Sequence, residues 1–216
     1  MNHVKRTGLF RAGRALTLAA ALAGLSGCAA VSALSSASQP LAAYTLSPVS
    51  FTAAGRGSRH VVVETPSASG AIATDRILVK PSPLQAAYLP GARWIDAAPV
   101  MIQTLMVQSL QSSGAFRLVN RGAGGLLPDY TVLTEIRAFQ AEPGPVGGPA
   151  YTVRVALTLT LVRELDGRAV ASRNVEGRAG AGSDQPLVIA GAFDAATTAA
   201  LRDAIGWIAG SLGAGA

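Results

Sequence analysis

Few residues in this chain are able to do chemistry. There is one cysteine, Cys28, and two histidines, His3 and His60. A metal site needs several such ligands, commonly four for structural zinc, and neither the number nor the spacing is here. A Ser-His-Asp triad would have to centre on His60, yet no Gly-x-Ser-x-Gly elbow exists to present a nucleophile. Gly122-Ala123-Gly124-Gly125 lacks the Lys-Ser/Thr that a phosphate cradle requires, so it reads as a flexible loop. Glu164 and Asp166 flank a turn, where acids serve turn geometry and solubility; a glycosidase pair would need a cleft between them. Asp75 and Arg76 can pair locally at little net stability. His60 is expected to be a solvated histidine at a strand end. These readings assign no catalytic residue, no metal ligand and no cofactor, and a non-catalytic protein is expected.

The setting of Cys28 is more informative. Four basic residues, Lys5, Arg6, Arg11 and Arg14, precede an apolar run from Ala15 to Leu25, and the run closes on Leu25-Ser26-Gly27-Cys28. A charged n-region followed by a short apolar h-region is a secretory signal. The run is about half the roughly 20 residues a membrane-spanning helix needs. Its ending resembles the lipobox of bacterial lipoproteins, in which the thiol is acylated and the chain is cut just before it. By that resemblance Cys28 is the lipid attachment site and the first mature residue, with 1–27 as signal peptide. Acylation also caps a lone thiol in an oxidising compartment. One acyl chain anchors only marginally, so several on one cysteine are needed for durable attachment. Ala29 follows, where an aspartate commonly retains such proteins at the inner membrane; the expected location is the periplasmic face of the outer membrane.

Removing residues 1–27 leaves 216 − 27 = 189 residues, and (18 − 4) − 12 gives a net charge of +2. Lys80 is then the one lysine left, and no basic cluster interleaved with aromatics is present, so nucleic acid is not an expected partner. Residues 28–43, rich in Ala and Ser, read as a tether, and a single domain is expected over 44–214.

Within that domain the pattern predicts strands at His60–Thr65, Ile72–Lys80, Gln85–Leu89, Phe116–Val119, Tyr130–Phe139, Tyr151–Arg163 and Arg168–Ala179. Tyr151, Val153, Val155, Leu157, Leu159 and Leu161 alternate with polar residues, which predicts one buried face and one wet face. Asp166-Gly167 marks the hairpin that follows. Two helices are predicted. One runs from an Asp96 N-cap to Gly114, with Met101, Ile102, Leu105, Met106 and Leu110 on its packed face; the other spans about Leu187–Leu212. The sum is an α+β fold, a mixed or antiparallel sheet with both helices on one face. Its long strands leave an open edge at which homo-oligomerisation is plausible.

Several stretches together resemble the ABC-type transport auxiliary lipoprotein family, the PqiC-type lipoproteins that accompany MCE-domain lipid transporters. They are Tyr44-Thr45-Leu46, Arg59–Pro66, Asp75-Arg76-Ile77-Leu78, Tyr88 with Arg93-Trp94-Ile95-Asp96, and Leu105–Phe116 with Val119. The Arg-Trp-x-Asp segment is the most specific of them. The resemblance implies a lipid-anchored partner of an MCE-domain periplasmic protein and its inner-membrane transporter. A lipid- or small-molecule-binding shuttle, an envelope hydrolase and a cell-envelope adaptor stand as other readings. For the signature itself two roles stay open: Trp94 staples a helix to the sheet, or Arg93 and Trp94 form a partner-binding edge, since Arg and Trp dominate interface hot spots.

Overall fold

The structure, a computed structural model, describes residues 40–53, 55 and 57–212; Cys28 and the signal lie outside them. Strands β1 (Ala42–Tyr44), β2 (His60–Val63), β3 (Ser67–Ala68), β4 (Arg76–Ser82) and β5 (Gln85–Trp94) come first, then helix α1 (Ala98–Ser113). Strands β6 (Leu118–Asn120), β7 (Tyr130–Pro143), β8 (Tyr151–Arg163) and β9 (Arg168–Ala181) follow, and helix α2 (Pro186–Leu212) closes the fold.

All the strands share one mixed sheet whose spine is β7. Along one side β7 pairs antiparallel with β8 from Tyr130↔Arg163 to Pro143↔Tyr151. On its other side three shorter strands dock in succession, all parallel to it: β2 at Val61↔Tyr130, β3 at Ser67↔Glu135 and β4 at Val79↔Ala141. Strand β6 extends the sheet from β2, β5 and β1 extend it from β4, and β9 forms the far edge beyond β8. The period-two pattern of β8 is realised from Val153 to Leu161: Val153, Val155, Leu157, Leu159 and Leu161 are buried, while Arg154, Thr158 and Thr160 between them are partly exposed.

Both helices cover the buried face. Thr134 Oγ1 lies 3.8 Å from the Met106 sulfur of α1, and Gly177 of β9 meets Ala196 of α2. Helix α2 offers small residues to the sheet (Ala192, Ala196, Ala200 and Ala204 are all buried), which lets its backbone approach closely. A Cβ built on Gly177 would lie 1.9 Å from the Ala196 carbonyl oxygen, so only glycine fits there. Gly114 takes the left-handed C-cap of α1 at φ 69°, as expected for a residue without Cβ strain.

Some expectations need correction. The mixed sheet is as expected, but it holds two strands that were not, β1 and β3, which are too short to leave a sequence pattern. Strand β5 runs through Pro90-Gly91 to Trp94, so Arg93 and Trp94 lie on a strand and not at the head of a helix. Residues 71–75 form a turn before β4, which itself continues through Pro81; β4 meets β7 at only one register pair, so that proline breaks no extended ladder. Asp96 does not cap α1. The N-cap is Ala97, with no side-chain bond, and the first turn is stabilised instead by Pro99 and by the Ala98 N–H donating to the Thr74 carbonyl.

The approach of α2 to β9 is directly testable. Gly177→Ala is expected to lower stability by about 1–3 kcal/mol or more, through overpacking against backbone. Gly191→Ala, on the exposed side of the same helix with nothing within 4 Å of its Cβ, is expected to raise stability by roughly 0.5–1 kcal/mol. Thermal unfolding of the two variants checks both signs.

Candidate functional site

The Arg93-Trp94 segment is held by backbone before any side chain acts. The Trp94 N–H donates to the Asp75 carbonyl at 2.6 Å, the Ile95 N–H donates to the Tyr44 carbonyl at 2.8 Å, and Tyr44 pairs with Trp94 across β1 and β5. Alternation along the strand then sends the two neighbouring side chains to opposite faces. Trp94 points inward and is 0% exposed. Its ring meets Phe193 of α2 edge-on at 5.1 Å and Phe139 of β7 at 5.7 Å, while Phe139 and Phe193 stand 4.9 Å apart. The tilted and T-shaped geometries suit ring quadrupoles. The Trp94 indole N–H has no hydrogen-bond partner, so this residue is kept for its apolar area. In the folded chain Trp94 offers no surface to a partner, and a docking edge here consists of Arg93 without it.

Arg93 is on the outside. It stands directly opposite Arg76 across β4 and β5, an arrangement in which like charges repel. Each has its own compensation. Arg93 Nη1 lies 3.3 Å from Asp75 Oδ2, with both side chains about two-fifths exposed, and the Arg76 guanidinium sits 5.4 Å over the Tyr88 ring. Exposed Ile95 follows immediately. Asp75, Arg76, Tyr88, Arg93 and Ile95 therefore make a mixed charged and apolar surface on a rigid hairpin, of the composition that interfaces favour. Within it the Asp75 carboxylate is held by Arg93, and the Tyr88 hydroxyl donates to the Ala71 carbonyl at 3.4 Å.

The wet face of β8 and β9 is a ladder of polar pairs. Arg154 Nη2 donates to Glu176 at 3.0 Å, Thr158 Oγ1 donates to Asn174 Oδ1 at 2.8 Å, and the Thr160 and Ser172 hydroxyls lie 3.4 Å apart. The hydrogen bond from Arg154 holds the Glu176 carboxyl below its ordinary 4.5; partial burial opposes this and Arg178 adds to it. At the turn after β8, Arg163 grips Asp166 through two bonds of 3.0 and 2.7 Å, lowering that carboxyl as well.

His60 departs from the solvated histidine expected. Strand β2 lies between β6 and β7, so the ring is 1% exposed, and its Nε2 makes no hydrogen bond. Its backbone N–H donates to Asp129 Oδ2 at 2.6 Å. Sequence reasoning also passed over Gln103 of α1, whose amide donates to the carbonyls of Val63 and Arg121 and so ties helix to sheet. A glutamine among apolar helix positions was the available signal. A surface cleft of about 760 Å³ opens between β2 and the loop before β7, with Glu64, Arg121, Leu126, Leu127 and Glu164 on its walls. The consecutive leucines at the end of a glycine-rich loop were the only hint of it. Among the described residues no three His, Cys, Asp or Glu gather as for a metal, and no helix is long and apolar enough to cross a membrane.

Comparison with known proteins places this geometry. A family described as ABC-type transport auxiliary lipoprotein component matches residues 44–206. The solved structure of protein XCC0632 from Xanthomonas campestris superposes with a TM-score of 0.70 at 26% identity, covering 79% of this chain and 97% of that one. A second solved structure, titled only as an uncharacterized protein, shares the fold with a TM-score of 0.56 at 14% identity, covering 76% and 99%. The uncharacterized protein bll6063 of Bradyrhizobium diazoefficiens is 28% identical over 154 residues, 69% of this chain, and the chain spans only 39% of that relative's length.

Two outcomes follow from the residues above. Trp94→Ala is expected to cost about 3–5 kcal/mol, and Trp94→Phe clearly less, because the buried N–H makes no bond to lose; Arg93→Ala should stay within about 1 kcal/mol, as for other exposed pairs. Denaturant titration separates them. Glu176 is depressed in the folded state, so the unfolded chain binds more protons as pH falls. Its contribution is present above 4.5 and lost as the pH drops below that value. The amount is at most about 1 kcal/mol at this exposure, and Arg154→Ala should flatten that part of a stability–pH curve.

Proposed function

Because this chain belongs to the ABC-type transport auxiliary lipoprotein family, matched over residues 44–206, we propose that it is the non-catalytic, lipid-anchored component of an MCE-type intermembrane lipid transport system. In this reading Cys28 carries the lipid, the residues between it and β1 are the tether, and the α+β domain docks the periplasmic transporter assembly at the inner face of the outer membrane. The family match carries the proposal. What favours docking over carrying a lipid inside the fold is the filling of the helix–sheet interface: Trp94, Phe139, Phe193, Met106 and Leu157 occupy it and are all 2% exposed or less. The working part is therefore the surface, and the hairpin bearing Asp75, Arg76, Tyr88, Arg93 and Ile95 is the proposed docking edge. Trp94 belongs to it as a positioning residue, fixing the strand from within.

Removing Arg93 and Trp94 together would confound docking with unfolding, so the test is Arg93→Glu. Pull-down from cross-linked cells is expected to recover an MCE-domain protein with the wild-type chain and to lose it with Arg93→Glu at unchanged melting temperature. Recovery with both forms would remove Arg93 from the interface. Failure to recover any MCE-domain protein with wild type would sink the docking role itself, and lipid carried by the purified domain would then favour the shuttle.

A further inference from the structure

At the end where β7 finishes, the turn between β4 and β5 is Pro83-Leu84, and the loop to β8 carries Pro145-Val146. Register brings these tips together. Val79 pairs with Ala141 and Pro143 with Tyr151, and Lys80–Pro83 and Glu142–Pro143 wall one cleft of about 450 Å³. Strand β9 ends there too, with Ala181 opposite Tyr151, so α2 begins at the same end with exposed Leu187 and Val188 in its first turn. Leu84 is 98% exposed and Val146 107%. Hairpin tips ordinarily carry Gly, Asn, Asp or Ser, so leucine and valine held fully in solvent call for an occupant.

The tether indicates which occupant. Strand β1 runs parallel to β5, away from the Gln85 turn, so its first residue, Ala42, faces the end that carries Leu84 and Val146. Ala42 pairs with Ala92, and the seven steps from Gln85 to Ala92 span at most about 23 Å. Fourteen steps of chain separate Cys28 from Ala42, about 45 Å at full extension. The tether is thus long enough to pass the tips and reach a bilayer lying against them, with no need to turn back along the sheet.

We infer that Leu84, Val146, Leu187 and Val188 form a membrane-contacting rim that enters the interfacial layer of the phospholipid bilayer in which Cys28 is anchored. The inference rests on the lipid-anchor reading. Apolar side chains entering the headgroup boundary add a second attachment to an acyl anchor and fix the domain's orientation. The opposite end, with Leu126, Leu127 and Leu165, then faces away from the bilayer.

Acylated Cys28 leaves no free thiol, so Leu84→Cys, Val146→Cys and Leu165→Cys each give one labelling site. The full chain of each variant is taken from membranes, labelled with an environment-sensitive fluorophore and reconstituted in phosphatidylethanolamine–phosphatidylglycerol vesicles containing a spin-labelled lipid. The mass of the N-terminal peptide is read from the same samples. With acylated peptide, a blue shift and lipid quenching at positions 84 and 146, and neither at 165, is the expected result. Equal exposure of all three to aqueous iodide on acylated protein overturns the rim and leaves the anchor standing. An unacylated N-terminus overturns the anchor, and the rim with it, because the tether is what directs this end to the bilayer.

Discussion

The contact of Trp94 with Phe139 and Phe193 is the constraint on which the rest of this fold depends. Each ring comes from a different part of the chain: the end of β5, the second half of β7 and the third turn of α2. Strand β4 meets β7 at a single register pair, so backbone hydrogen bonds alone tie the β1-β5-β4 group only weakly to the β7-β8-β9 group. The three rings supply the missing connection through apolar area, the term that dominates folding stability. They also require α2 to lie across both groups, which closes the core.

Closeness of packing follows from the same arrangement. A helix that presents alanines to a strand containing Gly177 brings backbone nearly against backbone at that point. The polar groups are pushed to the outer face and the rims. There Arg154 and Arg178 both pair with Glu176, and Arg93 pairs with Asp75. Such pairs contribute little stability but set the charge pattern a partner would meet.

The Arg-Trp-x-Asp segment shows how one short motif can serve two ends. Strand alternation splits it, sending Trp94 to the core and Arg93 to the surface, so the apolar neighbour holds the charged one in place. Asp96, at the end of the segment, neither caps the helix nor accepts its first N–H. The Thr74 carbonyl takes that task, accepting from the Ala98 N–H, a backbone contact that no residue type reveals.

Much of this protein was determined by the sequence itself. The alternation of β8, the Asp166-Gly167 turn, the Met101–Leu110 stripe and the stop at Gly114 are local patterns, each decided by the periodicity or dihedral preference of a few adjacent residues. The proposed signal and lipid attachment at Cys28 rest on a linear pattern of the same kind. Tertiary structure alone decided the rest. That β2, β3 and β4 dock parallel along β7 depends on pairings between residues about 60–70 positions apart, which no short window contains. His60 became buried because two strands flank β2, and Trp94 became inaccessible because Phe139 and Phe193 arrive from far along the chain. Burial is a property of what comes to lie on top of a residue, and for these two the covering residues are distant in sequence.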